Sequence, residues 1–139
     1  MASSQESDSV LLNKGYAFAI RVVNMTRYLI TEQKEYILAK QVLRSGTAIG
    51  ALVTESKRAE SKPDFIHKLS IALKEADETL YWITLLKDTE VIDEKMYASM
   101  SKDTNELIAM LVASIKTAKN NLQKAKSAEC QVQGVESKV

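Results

Sequence analysis

The sequence predicts an all-α fold, an antiparallel up-and-down four-helix bundle, and three observations lead to that prediction. Apolar residues recur at steps of three and four along most of the chain, which places them on one side of a helix. Four glycines and one proline among 139 residues leave few points where a helix must break. The polar breaks between apolar series are short, and short connections make consecutive helices run in opposite directions.

The length of the chain corresponds to one domain. We expect a flexible, polar N-terminus at residues 1–9 and a four-helix bundle at residues 10–127. Residues 128–139 are polar and contain a glycine, so we expect a flexible C-terminal tail there.

Helix one is expected over residues 10–30, and helix two over residues 34–59. Thr31 is a candidate cap for helix two, because its hydroxyl is able to accept a hydrogen bond from a free backbone N–H. The expected buried stripe of helix one consists of Leu12, Tyr16, Ala19, Ile20, Val23, Tyr28 and Ile30. The expected stripe of helix two consists of Ala39, Val42, Leu43, Gly46, Ile49, Gly50 and Val53.

Two glycines lie one turn apart in that second stripe, Gly46 and Gly50. Glycine in a helix interior costs about 1 kcal/mol relative to alanine. A close approach of another helix compensates for that cost, because small residues let two backbones come together. The alternative is that both glycines are merely tolerated. We expect close helix packing at Gly46 and Gly50.

Helix three is expected over residues 62–87 and helix four over residues 94–127. Ser61 and Asp93 are the expected N-caps, and Pro63 fits a first helical turn because no partner is available there for an N–H. The stripe of helix three consists of Phe65, Leu69, Ala72, Leu73, Ala76, Leu80, Ile83 and Leu86. The stripe of helix four consists of Met96, Met100, Thr104, Leu107, Ile108, Leu111, Ile115, Ala118, Leu122 and Ala125.

The composition restricts the classes of partner. With 19 basic and 18 acidic residues, the net charge of +1 gives no general attraction to nucleic acid or to an anionic membrane. No apolar run approaches the roughly 20 residues of a membrane span. The N-terminus lacks the features of a secretory signal, and the single cysteine, Cys130, excludes a disulfide framework. We expect a cytoplasmic protein without a membrane partner.

The sequence gives no support for an enzyme, a metal site or a cofactor. A dimetal centre in a four-helix bundle requires two Glu-x-x-His motifs, whereas His67 is the only histidine and Asp64 precedes it by three residues. No serine lies in a nucleophile elbow. Gly46 and Gly50 do not have the spacing of a phosphate-binding loop. We expect no catalytic residues and no cofactor.

Charged residues on helices two and three are candidates for subunit contacts. Arginine pairs well with carboxylates, and Trp82 widens the apolar arc of helix three beyond one side. The candidate interface residues are Arg44, Glu55, Arg58, Glu75, Glu78 and Trp82. The alternative is a solvated surface.

Four lysines near the end of helix four form a candidate nucleic-acid contact. They are Lys116, Lys119, Lys124 and Lys126, and no acidic residue lies between residues 107 and 128. Lysines bind phosphates electrostatically, and several copies in a symmetric ring would add their charges. The alternative is that they interact with the negative end of the helix dipole. No aromatic residues lie among them, so base stacking is not expected.

Three stretches resemble the four-helix-bundle family named after proteins encoded in intervening sequences of bacterial 23S rRNA genes. They are QVLRSGTAIGA at 41–51, SKPDFIHKL at 61–69 and IALKEADETLYWITLL at 71–86. The pattern of the family's second helix, Q-x-x-R-S-x-x-S-I-x-x-N-x-x-E, is matched at Gln41, Arg44, Ser45, Ile49 and Glu55. Ala48 and Leu52 replace the usual serine and asparagine.

The resemblance implies a cytoplasmic bacterial protein that forms a homopentameric ring of bundles. A similar bundle, the accessory protein of diversity-generating retroelements, is a basic pentamer that engages a reverse transcriptase and nucleic acid. Two functional hypotheses follow for this chain. One is a pentameric scaffold that binds RNA or DNA, and the other is a scaffold for a protein partner, such as a reverse transcriptase, with no nucleic-acid role.

Overall fold

The computed structural model describes residues 4–136, and within that range the fold is all-α. Three five-residue connections, 32–36, 57–61 and 89–93, join the helices. The four helices are α1 (Ser4–Thr31), α2 (Ile37–Ser56), α3 (Lys62–Asp88) and α4 (Glu94–Glu136). The predicted four-helix bundle is therefore confirmed.

Helices α1 and α2 run in opposite directions. A Cβ atom built on Gly50 would lie 3.0 Å from the carbonyl oxygen of Gly15, and one built on Gly46 would lie 2.8 Å from a methyl carbon of Val22. Residue numbers thus rise along α1 while they fall along α2. The structure places both predicted glycines against α1, and Gly50 meets backbone there rather than a side chain.

The predicted N-caps of α3 and α4 are present. The Ser61 hydroxyl accepts a hydrogen bond from the backbone N–H of Asp64 at 3.2 Å, and Pro63 occupies the first turn. The Asp93 carboxylate accepts one from the backbone N–H of Met96 at 2.8 Å. Each cap satisfies a backbone donor that has no partner inside its helix.

The start of α2 differs from the prediction. Thr31 does not cap this helix, because it is the last residue of α1 and its hydroxyl donates to the carbonyl oxygen of Arg27 at 2.8 Å. Lys34 has a φ of 54°, a left-handed conformation that cannot continue into a helix. Helix α2 consequently begins at Ile37 and not at residue 34.

The outer ends of the chain are more helical than expected. Helix α1 begins at Ser4 rather than at residue 10, and α4 continues to Glu136 rather than ending near residue 127. The flexibility expected for residues 1–9 and 128–139 stays a prediction, and residues 1–3 and 137–139 lie outside the described range.

The buried stripe expected on α1 is confirmed only in part, because Leu12 and Tyr28 pack partly buried against the core whereas three other members are exposed. Tyr16, Ile20 and Ile30 are 70%, 48% and 40% exposed. The side that faces the core carries Leu11, Gly15, Phe18, Val22, Met25 and Leu29, at steps of four and three. Helix α1 has apolar residues on two sides, so periodicity alone did not identify the buried one.

The core lies between all four helices and follows the predicted stripes of α2, α3 and α4 up to Ile115. Within the described side chains, Ile115 is the last buried residue of α4. No helix in the described part of the chain is long and apolar enough to cross a membrane.

Candidate functional site

Four of the six candidate interface residues meet on the surface where α2 packs against α3. The Arg44 guanidinium donates a hydrogen bond to the Glu78 carboxylate, and its Nη1 lies 3.5 Å from Oε2 of Glu75. Trp82 Nε1 donates to the same oxygen of Glu78 at 3.2 Å. Their convergence within one chain explains these charges without a partner subunit. A role for them between subunits stays a prediction.

The other two candidate interface residues lie apart from this cluster. Glu55 pairs with Lys68 of α3 at 3.3 Å, and both side chains are partly solvated. Arg58 is exposed in the connection after α2, where it makes no ion pair with any described side chain. Partly exposed pairs of this kind contribute about 0–1 kcal/mol to stability.

Glu75 is the most unusual member of the cluster. Burial raises the pKa of its carboxyl above the ordinary 4.5, as do the neighbouring Glu78 charge and a hydrogen bond to Glu78, while Arg44 opposes the shift. Its Oε2 is buried and has no hydrogen-bond partner within the described residues. The charged form of Glu75 is therefore disfavoured in the folded chain.

We expect Glu75→Gln to stabilise the bundle at neutral pH. Folding raises the pKa of Glu75. At pH values between 4.5 and the raised pKa, the native state therefore binds more protons than the unfolded state, and the stability of the fold decreases as pH rises through that window. Glutamine is neutral throughout and avoids this loss. Thermal unfolding should show a melting temperature higher by on the order of 2 °C at pH 7, with the difference vanishing below pH 4.5.

The matched control for this change is Glu32→Gln, because Glu32 is exposed in the connection after α1. It makes the same chemical change without burial, and its unfolding profile should follow the wild type at every pH. An unchanged or lower melting temperature of Glu75→Gln at pH 7 would show that the pairing with Arg44 outweighs the burial of the charge.

The four predicted lysines lie on the part of α4 that leaves the core, residues 116–136, which we call the α4 arm. All four are exposed and make no ion pair with any described side chain. Lys14 of α1 pairs with Glu106 of α4, so these two residues lie at about the same level of the bundle. The two helices run in opposite directions, so Ser4, ten residues before Lys14, lies near the level of Lys116, ten residues after Glu106. The first part of the arm still borders α1, because Thr117, Ala118 and Asn121 line a groove together with Ser7 and Asp8 of α1.

The geometry of the arm places most of its charge on one side. At 3.6 residues per turn, Lys116, Lys119 and Lys126 fall within about 80° of one another around the helix axis, and Lys124 flanks them. The helix dipole acts within the last turn, and α4 ends ten residues after Lys126. The dipole therefore does not account for these lysines.

Residues with potential catalytic chemistry do not gather in the described structure. His67 is exposed on the first turns of α3, and Cys130 is exposed on the α4 arm. Among the described residues, no three His, Cys, Asp or Glu side chains lie close enough to hold a metal ion. A groove of about 620 Å³ runs between the starts of α1 and α3 and the middle of α4. Its lining includes Val10, Phe65, Met110, Ala113, Thr117 and Ala118.

A family model and a solved structure are among the matches to this chain. A family described as 23S rRNA-intervening sequence protein matches residues 7–113, more than half of the chain. A crystal structure of a protein of unknown function from the S23 ribosomal protein family, from Bacteroides thetaiotaomicron VPI-5482, is 48% identical with a TM-score of 0.78. That match covers 79% of this chain and 98% of the other. None of the curated proteins compared with the chain matches it.

The α4 arm begins after the segment that matches the family. All four lysines follow residue 113, so the match does not extend to them. The family match therefore gives no information on the function of the α4 arm.

Proposed function

The chain belongs to the 23S rRNA-intervening sequence protein family, and from this premise we propose that it is a non-enzymatic, homopentameric scaffold that binds RNA or DNA through its α4 arm. One observation carries the nucleic-acid part of the proposal. The arm is a helix that presents four exposed lysines with no ion-pair partner among the described side chains, in a stretch of sequence that has no acidic residue between positions 107 and 128.

The chemistry of the arm fits phosphate groups rather than bases. Lysine binds phosphate as a point charge and releases condensed counterions when it does so. Residues 116–136 contain no aromatic side chain that could stack on a base. The expected binding is thus strong at low salt, weak at high salt and indifferent to sequence.

In the proposed pentamer, four lysines in each chain are sufficient to bind nucleic acid. A single arm contributes few phosphate contacts, and the whole chain has a net charge of only +1. Five arms on one ring would act on the same nucleic acid, and linked weak contacts bind more tightly than separate ones. The support for assembly in the structure is the apolar surface that the bundle leaves exposed on α1.

A second candidate function is a scaffold for a protein partner, with no nucleic-acid role. The groove of about 620 Å³ favours it, because the exposed lining of that groove is largely apolar. Apolar grooves between helices accept amphipathic segments of other proteins.

Two measurements on the full chain test the proposal. Light scattering should give a mass near 77.5 kDa, five times 15.5 kDa. Filter binding with a structured RNA should weaken at least about 100-fold between 50 and 200 mM salt, the change expected for the roughly four phosphate contacts of a single arm. A mass near 15.5 kDa would refute the ring. Absent or salt-insensitive RNA binding would refute the role of the lysines and leave the protein-partner scaffold.

A further inference from the structure

The outer side of α1 and the start of α2 carry most of the large apolar side chains that the bundle exposes. Eight such side chains are exposed among the described residues, and five of them belong there: Tyr16, Ile20, Ile30, Tyr36 and Ile37. Tyr16, Ile20, Val23 and Ile30 follow one another at steps of four, three and seven, so they line one side of α1, opposite its core side. We call these six residues the α1–α2 face.

The register of the two helices brings the parts of this face together. Gly15 contacts Gly50 and Val22 contacts Gly46, so residues of α1 and α2 at one level have numbers that sum to about 67. Ile30 accordingly lies at the level of Ile37, where α2 begins. The apolar side chains thus form one surface along α1 that widens at this end of the bundle.

Ion pairs link the other three neighbouring helix pairs but not α1 and α2. Among the described side chains, Lys14 and Arg21 pair with acids of α4, Lys87 of α3 pairs with Glu94 of α4, and Arg44 links α2 to α3. No described ion pair joins α1 to α2. Among the described residues, the helix pair without an ion pair is therefore also the pair that exposes most of the large apolar side chains.

The size of the α1–α2 face fits a subunit contact. The exposed apolar area of this face is roughly 500 Å². This value takes the fully exposed side chains of tyrosine and isoleucine to have accessible areas of about 200 and 180 Å². A stable interface buries about 800 Å² on each partner. The exposed side chains of Arg27 and Lys40 would supply much of the remaining interface area.

The basic side chains within and beside this face favour a second copy of the chain as its occupant. Arg27 and Lys40 are exposed and have no ion-pair partner among the described side chains. On α3, Tyr81 is 60% exposed and packs edge-on against Trp82, with exposed Asp77 one turn before it.

Helix α3 therefore offers an apolar and acidic surface that complements the apolar and basic α1–α2 face. Asp77, Tyr81 and Asp88 follow at steps of four and seven on the outer side of α3, and Lys74 lies at one end of that row. Arginine and lysine opposite aspartate give a contact its register and its specificity.

We infer that the α1–α2 face of one copy binds the outer side of α3, around Tyr81, on the next copy. The two surfaces differ, so the contact is head-to-tail, the kind that closes into rings. The inference rests on the proposed homo-oligomer and assigns its interface. It moves the contact away from the cluster of Arg44 and Glu75 and retains Trp82 at its margin.

Two aspartate variants of the full chain test the inference by light scattering. Ile20→Asp places a charge on the α1–α2 face, and Tyr81→Asp places one on the α3 surface. Each variant alone should be monomeric, near 15.5 kDa. Each retains one intact surface of the opposite kind, so an equimolar mixture should form a dimer near 31 kDa, twice 15.5 kDa.

The controls separate this inference from the proposed oligomer. Val112→Asp changes a side chain of α4 that is 50% exposed and lies outside both surfaces, and it should assemble like the wild type. Circular dichroism should show full helix content in every variant, and Tyr16→Asp replaces Ile20→Asp if that variant fails to fold. A monomeric wild type would refute the oligomer itself. An oligomeric wild type with an unaffected Ile20→Asp variant, or variants that stay monomeric when mixed, would refute only this interface.

Discussion

Gly50→Leu is expected to lower the free energy of unfolding by more than about 3 kcal/mol, the upper range for overfilling a packed interior. A Cβ atom at this position would lie 3.0 Å from the carbonyl oxygen of Gly15 and 3.1 Å from its carbonyl carbon. Those atoms belong to the backbone of α1, so no side-chain rotation makes room. The two helices have to separate, and the leucine side chain requires still more space.

Single alanine substitutions at Gly46 and Gly50 give a second test of the same helix contact. Alanine favours a helix over glycine by about 1 kcal/mol, which offsets part of any crowding. Gly46→Ala meets the side chain of Val22, with its two methyl carbons at 2.8 and 2.9 Å and its Cβ at 3.3 Å, whereas Gly50→Ala meets backbone. We therefore expect Gly50→Ala to be the more destabilising of the two, although both add one methyl group.

Thermal unfolding at one fixed protein concentration measures these differences, because assembly makes the melting temperature depend on concentration. Gly50→Leu should lower the melting temperature by roughly 10 °C or more. Ala98→Leu adds comparable bulk at an exposed position of α4 and should leave it nearly unchanged. If Gly50→Leu unfolds like Ala98→Leu, the close approach of α1 and α2 is not important for stability.

The sequence was sufficient to predict the presence of four helices and the N-caps of α3 and α4, because these depend on local chemistry. Ser61 and Asp93 cap helices because their side chains reach N–H groups three residues away. The buried side of α1 was not predictable in the same way. Tyr16 and Ile20 give α1 a second apolar side, and which side is buried depends on the position of α2.

Gly15 offered a signal that periodicity did not. Three glycines in the first 50 residues, Gly15, Gly46 and Gly50, allow one close helix contact between two different helices. Placing Gly15 in that contact selects Leu11, Phe18 and Val22 as its buried neighbours. Tyr16 and Ile20 then point outward, as their exposure shows.

The charged cluster shows a different limit of sequence reasoning. Helical spacing identified Arg44, Glu75 and Glu78 as a set but did not decide whether they meet within a chain or between chains. Their pairing across α2 and α3 depends on the register of those helices. The hydroxyl groups of Ser45 and Thr79 lie 2.9 Å apart in the buried part of the same contact, and their hydrogen bond helps to define that register.

The extent of the α4 arm also could not be derived from the sequence. Residues 128–136 are polar, contain a glycine and lack an apolar stripe, so the composition favoured a flexible tail. The structure continues α4 to Glu136. That difference changes the interpretation of Lys124 and Lys126, which lie in the middle of a helical arm and not at a helix end.

Replacing the four arm lysines by glutamine is expected to weaken RNA binding at least about 100-fold at 50 mM salt. Roughly four phosphate contacts lose about that factor when the salt is raised fourfold, so removing the contacts altogether should cost at least as much. Without the lysines this release is lost, so binding by the variant should depend little on salt. The changed residues are Lys116, Lys119, Lys124 and Lys126, all exposed, so the helix content and the mass of the assembly should not change.

A second quadruple variant separates the arm from charge in general. It replaces four other exposed lysines by glutamine, namely Lys57, Lys62, Lys95 and Lys102. Both variants lose the same four charges, so an effect of net charge alone would weaken RNA binding equally in the two. The proposal requires a large loss for the arm variant and a small one for the control, because phosphate contacts act over the Debye length of about 10 Å and not across a whole bundle. Equal losses would mean that the α4 arm is not the binding site.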